Sequence, residues 1–280
     1  KNLMIIWIAS YPKSGNTYIR SFLSAYYFST DGEFNFELLK NIKQFPDKYF
    51  FDRKIPNIES AIKNYLPAQK KISENGKVKF LKTHSLLGLY KGHPFTIPEY
   101  TLGAIYIVRD PRNLLTSLMN HYSLNEQEAL EFMMDNNRDI HDDDKDFSSY
   151  AYLGNWGKHY ESWSKTNKYR KLIINYEDLK HNKHNIFRDV IIFVNTLLNK
   201  TERVDIKKLE KAIETTNFNV LKKKEKDEGF IESVKDIDGN KKTFFNKGFY
   251  NNWRKNKNKG SIKIIEQKFK KEMGELGYLK

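Results

Sequence analysis

The stretch SYPKSGNT, residues 10–17, decides how this chain is read. It follows the apolar run LMIIWIA at residues 3–9 and leads into a helix-like segment at 18–28. Strand, tight glycine-containing loop and helix is the arrangement that cradles a phosphate. The first turn of a helix presents unpaired N–H donors and the positive end of its dipole. Lys13 adds a mobile cation, and Gly15 lets the backbone approach anionic oxygens without a clashing Cβ. Ser14, Asn16 and Thr17 offer short side chains able to donate hydrogen bonds. The run is not the GxxxxGK[ST] of nucleoside-triphosphate loops, because the lysine precedes the glycine and the first glycine is absent. On these residues alone, an ordinary strand–turn–helix corner stays open beside the phosphate reading.

The rest of the chain bounds the answer. With 280 residues it can bury a full core, and 39% hydrophobic residues argue against disorder despite 30% charged ones. A net charge of +14 favours anionic partners: nucleotides, sulfated or phosphorylated substrates, nucleic acid or acidic membranes. The lysines are spread widely, so a well-solvated basic surface is the plain alternative. No cysteine is present, which excludes disulfides, thiolate zinc sites and cysteine nucleophiles. No apolar run approaches the length of a membrane span, and the 3–9 run is too short for a secretory core. A soluble, cytoplasmic protein is expected. The chain starts at Lys1, which leaves room for an upstream segment.

Working outward, VKFLK (78–82), AIYIV (104–108) and KLIIN (171–175) are short, apolar and β-branched, as interior strands of a parallel sheet are. Helical patterns lie between them. One spans 111–121, with Asp110 as N-cap and Pro111 at the first helical position. Others span 150–165, 184–198, with Ile186, Val190, Phe193, Val194 and Leu197 on one face, and 262–276. Alternating strands and helices predict an α/β fold: a single domain over residues 1–280 with a central, mostly parallel sheet flanked by helices. Ligands of such sheets bind beyond the carboxyl ends of the strands. The SYPKSGNT loop, Thr83–His84 and Arg109–Asp110 each follow a strand and are expected to meet there. Residues 135–146 read as an acidic solvated loop, and 227–259, rich in Lys, Asn and Gly with few apolar positions, as a long loop or lid.

In their order along the chain, these motifs resemble the sulfotransferases that use 3′-phosphoadenosine 5′-phosphosulfate (PAPS). SYPKSGNT resembles the P-loop-like 5′-phosphosulfate loop, and FLKTHSLL (80–87) the segment that carries the family's histidine base. YIVRDPRNLLTSLMNHY (106–122) resembles the 3′-phosphate site. INYEDL (174–179) and ETTNFNVLKK (214–223) resemble two later landmarks, and NKGFYNNWRKN (246–256) the loop that closes over the nucleotide. The resemblance implies transfer of a sulfuryl group from PAPS to a hydroxyl or amine by in-line displacement, leaving PAP, with no metal. It implies catalytic roles for His84, Lys13, Lys82 and Ser117. It implies donor binding by Lys13, Ser14, Gly15, Asn16, Thr17, Tyr18, Arg109, Ser117, Tyr176, Thr216, Phe218, Asn246, Lys247 and Gly248.

Physical chemistry is consistent with those roles. Sulfuryl transfer needs alignment and positive charge where negative charge develops, not covalent help. Lys13 suits charge growing on the bridging oxygen, and a histidine in the KTH context suits a base near neutral pH. The bland alternatives are a hydrogen-bonded structural His84, an Arg109 paired with Asp110 or another carboxylate, and a packing Ser117. Asn246 stands where the family has arginine, with Lys241 or Lys242 as candidate substitutes; Tyr18 stands where it has tryptophan, and Asn16 where it has threonine. No early aromatic is assigned to stack on adenine. The rivals are a P-loop nucleotide kinase, short of its GK[ST], and a basic nucleic-acid-binding protein, short of any recognition motif. His181 and His184 lack a third metal ligand. The acceptor, a small molecule, glycan or lipid, is expected to enter near residues 44–51, 86–98 and 135–147. Neither its identity nor the oligomeric state is read from the sequence.

Overall fold

Every residue of β1 (Ile5–Ser10) is buried, as a strand with neighbours on both edges and cover on both faces must be. The computed structural model describes residues 5–74, 76–142, 145–234, 239–255 and 259–279. In it β1 is the centre of a five-stranded sheet. The spatial order is β2 (Lys43–Gln44), β3 (Lys79–Thr83), β1, β6 (Thr101–Val108), β9 (Arg170–Asn175). The pairings of β2 with β3, β3 with β1 and β1 with β6 are parallel, and Ala9 lies opposite both Thr83 and Tyr106. The chain builds out to β3 on one side of β1 and returns to the other side for β6. Strand order therefore reverses at β1, whose carboxyl end at Ser10 is level with that of β3. Four short strands form two antiparallel ladders: β4 (Leu89–Tyr90) with β5 (His93–Pro94), and β7 (Asp139–Ile140) with β8 (Ala151–Tyr152).

The chain packs as two compact units, each assembled from separated segments. The first comprises Lys1–Pro12, Ile42–Val108 and Asp135–Ile174. It holds the sheet, the ladders and the helices α2 (Ile58–Lys63), α3 (Tyr65–Glu74) and α6 (Trp156–Ser164). Its core is aromatic: Trp7 lies 5.0 Å from Phe95 and 5.7 Å from Phe45, and its indole N–H donates to the Thr101 hydroxyl. That hydrogen bond satisfies the one polar group a buried tryptophan brings inside.

The second unit comprises Lys13–Asn41, Arg109–Met134 and Asn175–Lys280. It is helical: α1 (Asn16–Phe28), α4 (Pro111–Tyr122), α5 (Glu126–Met134), α7 (Leu179–Leu197), α8 (Ile206–Thr215), α9 (Phe218–Glu228), α10 (Lys259–Lys268) and α11 (Lys270–Glu275). Phe22 of α1 stacks on Phe187 of α7 with ring centroids 3.8 Å apart. Asp110 caps α4 by accepting from the Arg112 amide, with Pro111 in the first turn.

Some expected boundaries move. The helix expected from 150 begins at Trp156, because Ala151–Tyr152 pairs with Asp139–Ile140 and the Asn155 side chain caps the helix from Lys158 N. The closing helix expected over 262–276 is two helices broken at Phe269, whose backbone leaves the helical region while its ring stays buried. Part of the acidic stretch 135–146 is strand β7, and residues 143–144 lie outside the described ones. The basic stretch 227–259 begins with the end of α9. Its other described residues include two short 3-10 turns, Gly248–Tyr250 and Trp253–Lys255, and Lys259 opens α10. Residues 235–238 and 256–258 of that stretch, and 3–4 of the first apolar run, lie outside the described ones. No helix among the described residues is long and apolar enough to cross a membrane.

Candidate active site

The expected site residues fall into two groups, one in each unit. In the helical unit, Gly15 precedes the first residue of α1 at φ +100°, a conformation open to glycine, and its carbonyl accepts from the Tyr18 and Ile19 amides. A Cβ there would lie 2.3 Å from Cδ2 of Tyr176, so the tyrosine ring rests directly on the loop backbone. Burial pushes the Tyr176 phenol up to about 12, keeping it neutral.

Arg109 ties the distant motifs of this unit together. Its guanidinium donates to the Lys13 carbonyl at 3.0 Å and to the Gly248 carbonyl at 3.1 Å, and it lies 4.6 Å above the Tyr176 ring. It does not pair with Asp110, which is taken by Arg112 through Nε and Nη2. Its nearest carboxylate is Glu177, 3.9 Å away. Glu177 accepts from the Asp110 amide and from Asn113 Nδ2, and burial raises its pKa.

The carboxyl-terminal loop closes the group. Gly248, at φ +49°, leaves no room for a side chain, since a Cβ would lie 2.4 Å from the Phe218 ring. Phe249 then stacks on Tyr176 at 4.7 Å and meets Tyr18 edge-on at 5.6 Å. No sequence pattern marked Phe249. It is an aromatic the loop supplies, and its position depends on contacts about 70 and about 230 residues away in the chain.

Thr17 and Arg20 lie one turn apart on α1 and share one carboxylate. The Thr17 hydroxyl donates to Glu232 Oε2 at 3.0 Å, and Arg20 Nη1 to Oε1 at 2.6 Å. The first turn of α1 therefore holds an oxyanion, as a helix amino terminus favours. Arg20 and Glu232 escaped the sequence reading because an ion pair across 212 residues leaves no local pattern. The Ser14 hydroxyl is buried with no hydrogen-bond partner among the described residues. Lys13, at φ +67°, places its ammonium 4.0 Å from the centre of the Phe244 ring.

Other expected residues are placed less suggestively. Thr216 donates its hydroxyl to Ala212 of its own helix at 2.6 Å. Ser117 is half-buried on α4, Asn246 is half-buried with its carbonyl accepting from Lys222, and Lys247 is exposed. Lys242, a candidate to replace the arginine absent at 246, instead donates to the Asn120 carbonyl and the Ser123 hydroxyl at the end of α4.

In the sheet unit, His84 follows β3. Its Nδ1 is 2.7 Å from the Ser10 carbonyl at the end of β1, so Nδ1 carries the hydrogen and Nε2 is the basic nitrogen. Lys82, mostly buried, stands opposite Ile8 and Gln44 in the sheet. A crevice in the same unit is lined by Tyr65, Leu86, Leu89, Tyr90, Phe95 and Tyr152, and falls in the 86–98 region expected at the acceptor mouth. No group of three metal-ligating side chains occurs among the described residues.

The Gly loop, the buried Arg109 and the aromatic carboxyl-terminal loop make the helical unit a candidate site for a phosphorylated ligand. The sulfotransferase domain family model matches residues 4–277, and the chain belongs to that family. Similar proteins include dog sulfotransferase 1B1, 24% identical over 96% of this chain and 83% of that protein. Rat sulfotransferase 1E1 is 23% identical over 95% of this chain and 82% of its own length. Among solved structures, mouse sulfotransferase SULT7A1 complexed with PAP superposes with a TM-score of 0.58 at 18% identity, covering 98% of this chain and 85% of that one. Retinol dehydratase in a complex with retinol and PAP gives 0.60 at 17% identity, covering 98% and 82%. These structures share the α/β fold.

Proposed function

We propose that residues 1–280 form one cytoplasmic sulfotransferase domain that moves a sulfuryl group from PAPS to a hydroxyl or amine of a small molecule, with His84 as general base. PAP in the two similar solved structures supports the donor. The observation that carries the reading is Arg109, whose one guanidinium joins the SYPKSGNT loop to the carboxyl-terminal loop, the two segments expected at opposite phosphates of the donor.

The residues fit such a donor. Thr17 already accommodates a carboxylate, the buried Ser14 hydroxyl has a donor to give, and Gly15 and Gly248 offer backbone where a side chain would block approach. In this reading Ser14, Gly15, Asn16 and Thr17 hold the 5′-phosphate and Arg109, Ser117 and Lys247 the 3′-phosphate. Asn246 replaces a charged fork with a neutral amide. Tyr18, Tyr176, Thr216 and Phe218 surround the base. PAPS supplies the activated sulfuryl group and a bisphosphorylated leaving group.

The chain's own contribution is to orient, to neutralise charge and to take a proton. Lys13 offsets the charge that grows on the bridging oxygen, and Lys82 assists at the sulfuryl oxygens. His84 Nε2 removes the acceptor proton as the new S–O or S–N bond forms, and a base of this kind contributes about 10²–10⁴-fold in rate. No metal enters this scheme. The rings lining the crevice by Tyr90 and Tyr152 suit an apolar or aromatic acceptor.

Calorimetry tests donor binding: PAP is expected to bind at least tenfold tighter than AMP, and equal affinities would refute the two-phosphate grip. His84→Ala is expected to lower turnover of labelled PAPS by about 10²–10⁴-fold, to a small residual rate, while leaving PAP affinity within about threefold. Near-normal turnover of that variant would remove His84 from the mechanism.

A further inference from the structure

His159 attracts no notice in the sequence beyond its place in an aromatic helix, yet the structure buries it completely and ties it to the main chain of His84. It lies in α6. Its Nε2 is 2.9 Å from the His84 carbonyl oxygen, and its Nδ1 is 2.9 Å from the Tyr106 hydroxyl. A carbonyl has no proton to give, so Nε2 carries the hydrogen and donates it. The neutral ring then has a bare Nδ1, which accepts from the tyrosine. Burial drives the His159 pKa down to about 4, so the ring keeps this neutral form through the physiological range.

The same logic fixes the other end. His84 is held at its ring by the Ser10 carbonyl and at its main chain by His159, and with the hydrogen on Nδ1 its Nε2 carries the lone pair. Neighbours on α6 hold the residues that follow: Trp163 Nε1 donates to the Ser85 carbonyl at 3.0 Å, and the Ser162 hydroxyl accepts from the Leu87 amide at 3.1 Å. The segment after β3 is therefore clamped along its length by one helix.

We propose that His159 is a positioning residue for sulfuryl transfer: its Nε2–H, set by the Tyr106 hydroxyl, fixes the His84 main chain so that His84 Nε2, the nitrogen without a hydrogen, is held in register with the acceptor. This rests on the reading of His84 as the base. Displacing a reacting group by about 1 Å costs on the order of 100-fold in rate, so the effect belongs in kcat. His159→Leu removes the donor and is expected to lower kcat about 10–100-fold, with acceptor KM and PAP affinity within about twofold. His159→Gln places an N–H near the lost one and is expected to restore kcat to within about fivefold of the parent.

The decisive arm is the His84→Ala background, where His159→Leu is expected to cost nothing further, because there is no base left to position. A parental kcat for His159→Leu overturns the proposal. So does a folded His159→Gln that is no better than Leu, or an equal loss with and without His84. If the leucine variant does not fold, Tyr106→Phe takes its place: the proposal requires kcat to fall while KM holds, and an unchanged kcat overturns it. A strongly impaired His84→Ala beside a fully active His159→Leu refutes the positioning role alone. A fully active His84→Ala refutes the base itself.

Discussion

Replacing Gly15 by alanine perturbs the loop at the point where backbone and aromatic ring meet. Two costs are legible. At φ +100° an L-residue sits outside its comfortable regions, worth about 1–3 kcal/mol. The new Cβ would also lie 2.3 Å from Cδ2 and 2.5 Å from Cε2 of Tyr176, so the ring must retreat by roughly an ångström to reach normal contact. Overpacking of that kind costs about 1–3 kcal/mol. The expected loss is about 4 kcal/mol, a large part of the roughly 5–15 kcal/mol that holds a domain together. The ring that retreats carries Arg109 on one side and Phe249 stacked against it, so PAP affinity is expected to fall at least tenfold as well. Urea denaturation of the parent, Gly15→Ala, Tyr176→Ala and the double variant separates the terms. Without the tyrosine ring the alanine should cost only its backbone share, so the cycle should return a coupling of about 1–3 kcal/mol. Equal costs in both backgrounds, or a Gly15→Ala loss below about 0.5 kcal/mol, would refute the close-approach argument.

Arg109→Lys keeps the charge but loses the fork that reaches two carbonyls, so PAP is expected to bind about 10–100-fold more weakly while AMP is little changed; an equal loss for both ligands would place Arg109 elsewhere. Glu232→Gln removes the anion held by Thr17 and Arg20, and calorimetry should show PAP binding several-fold tighter, whereas unchanged affinity would mean that the carboxylate and the phosphate do not compete. His159, with Tyr11, Tyr106 and the His84 carbonyl as its polar neighbours, has its pKa depressed from 6.5 to about 4. Its contribution is present above pH 6.5 and is lost as pH falls toward 4, because the unfolded chain takes up the proton first. Acid denaturation should show a loss of about 3 kcal/mol across that window, absent in His159→Gln.

Three strands were legible because each is a short apolar run: IIWIAS, KFLKT and the AIYIV core of β6 are buried almost throughout, and burial on both faces leaves a continuous hydrophobic signal. KLIIN, expected as an interior strand, is instead the sheet's edge strand β9 and is only partly buried. Helix α4 was legible for a local reason, the Asp–Pro start. Helix α8 was readable but missed: Asp205 caps it, and Leu209, Ala212 and Ile213 form its buried stripe within a lysine-rich segment. The Gly15 and Gly248 positions were legible as glycines, but what each glycine accommodates was not, since Tyr176 and Phe218 approach from remote parts of the chain. Arg109 shows the limit best. The residue type and the preceding strand made it a candidate, yet its choice of two carbonyls over the neighbouring Asp110 depends on Arg112 having taken that carboxylate.

Glu225 has a mechanical consequence for the carboxyl-terminal loop. Its carboxylate receives the consecutive amides of Phe244 and Phe245 and the Ser233 hydroxyl. Beyond Phe249, Asn251 is fastened to the Asn113 carbonyl and to Thr116, and the Trp253 amide to Asn113 Oδ1. The stretch 246–250 is thus an arch riveted at both feet, with the residues expected to meet the nucleotide at its crown. A span of five residues held at both ends has little chain entropy left to lose, so ordering it over a ligand is expected to cost little.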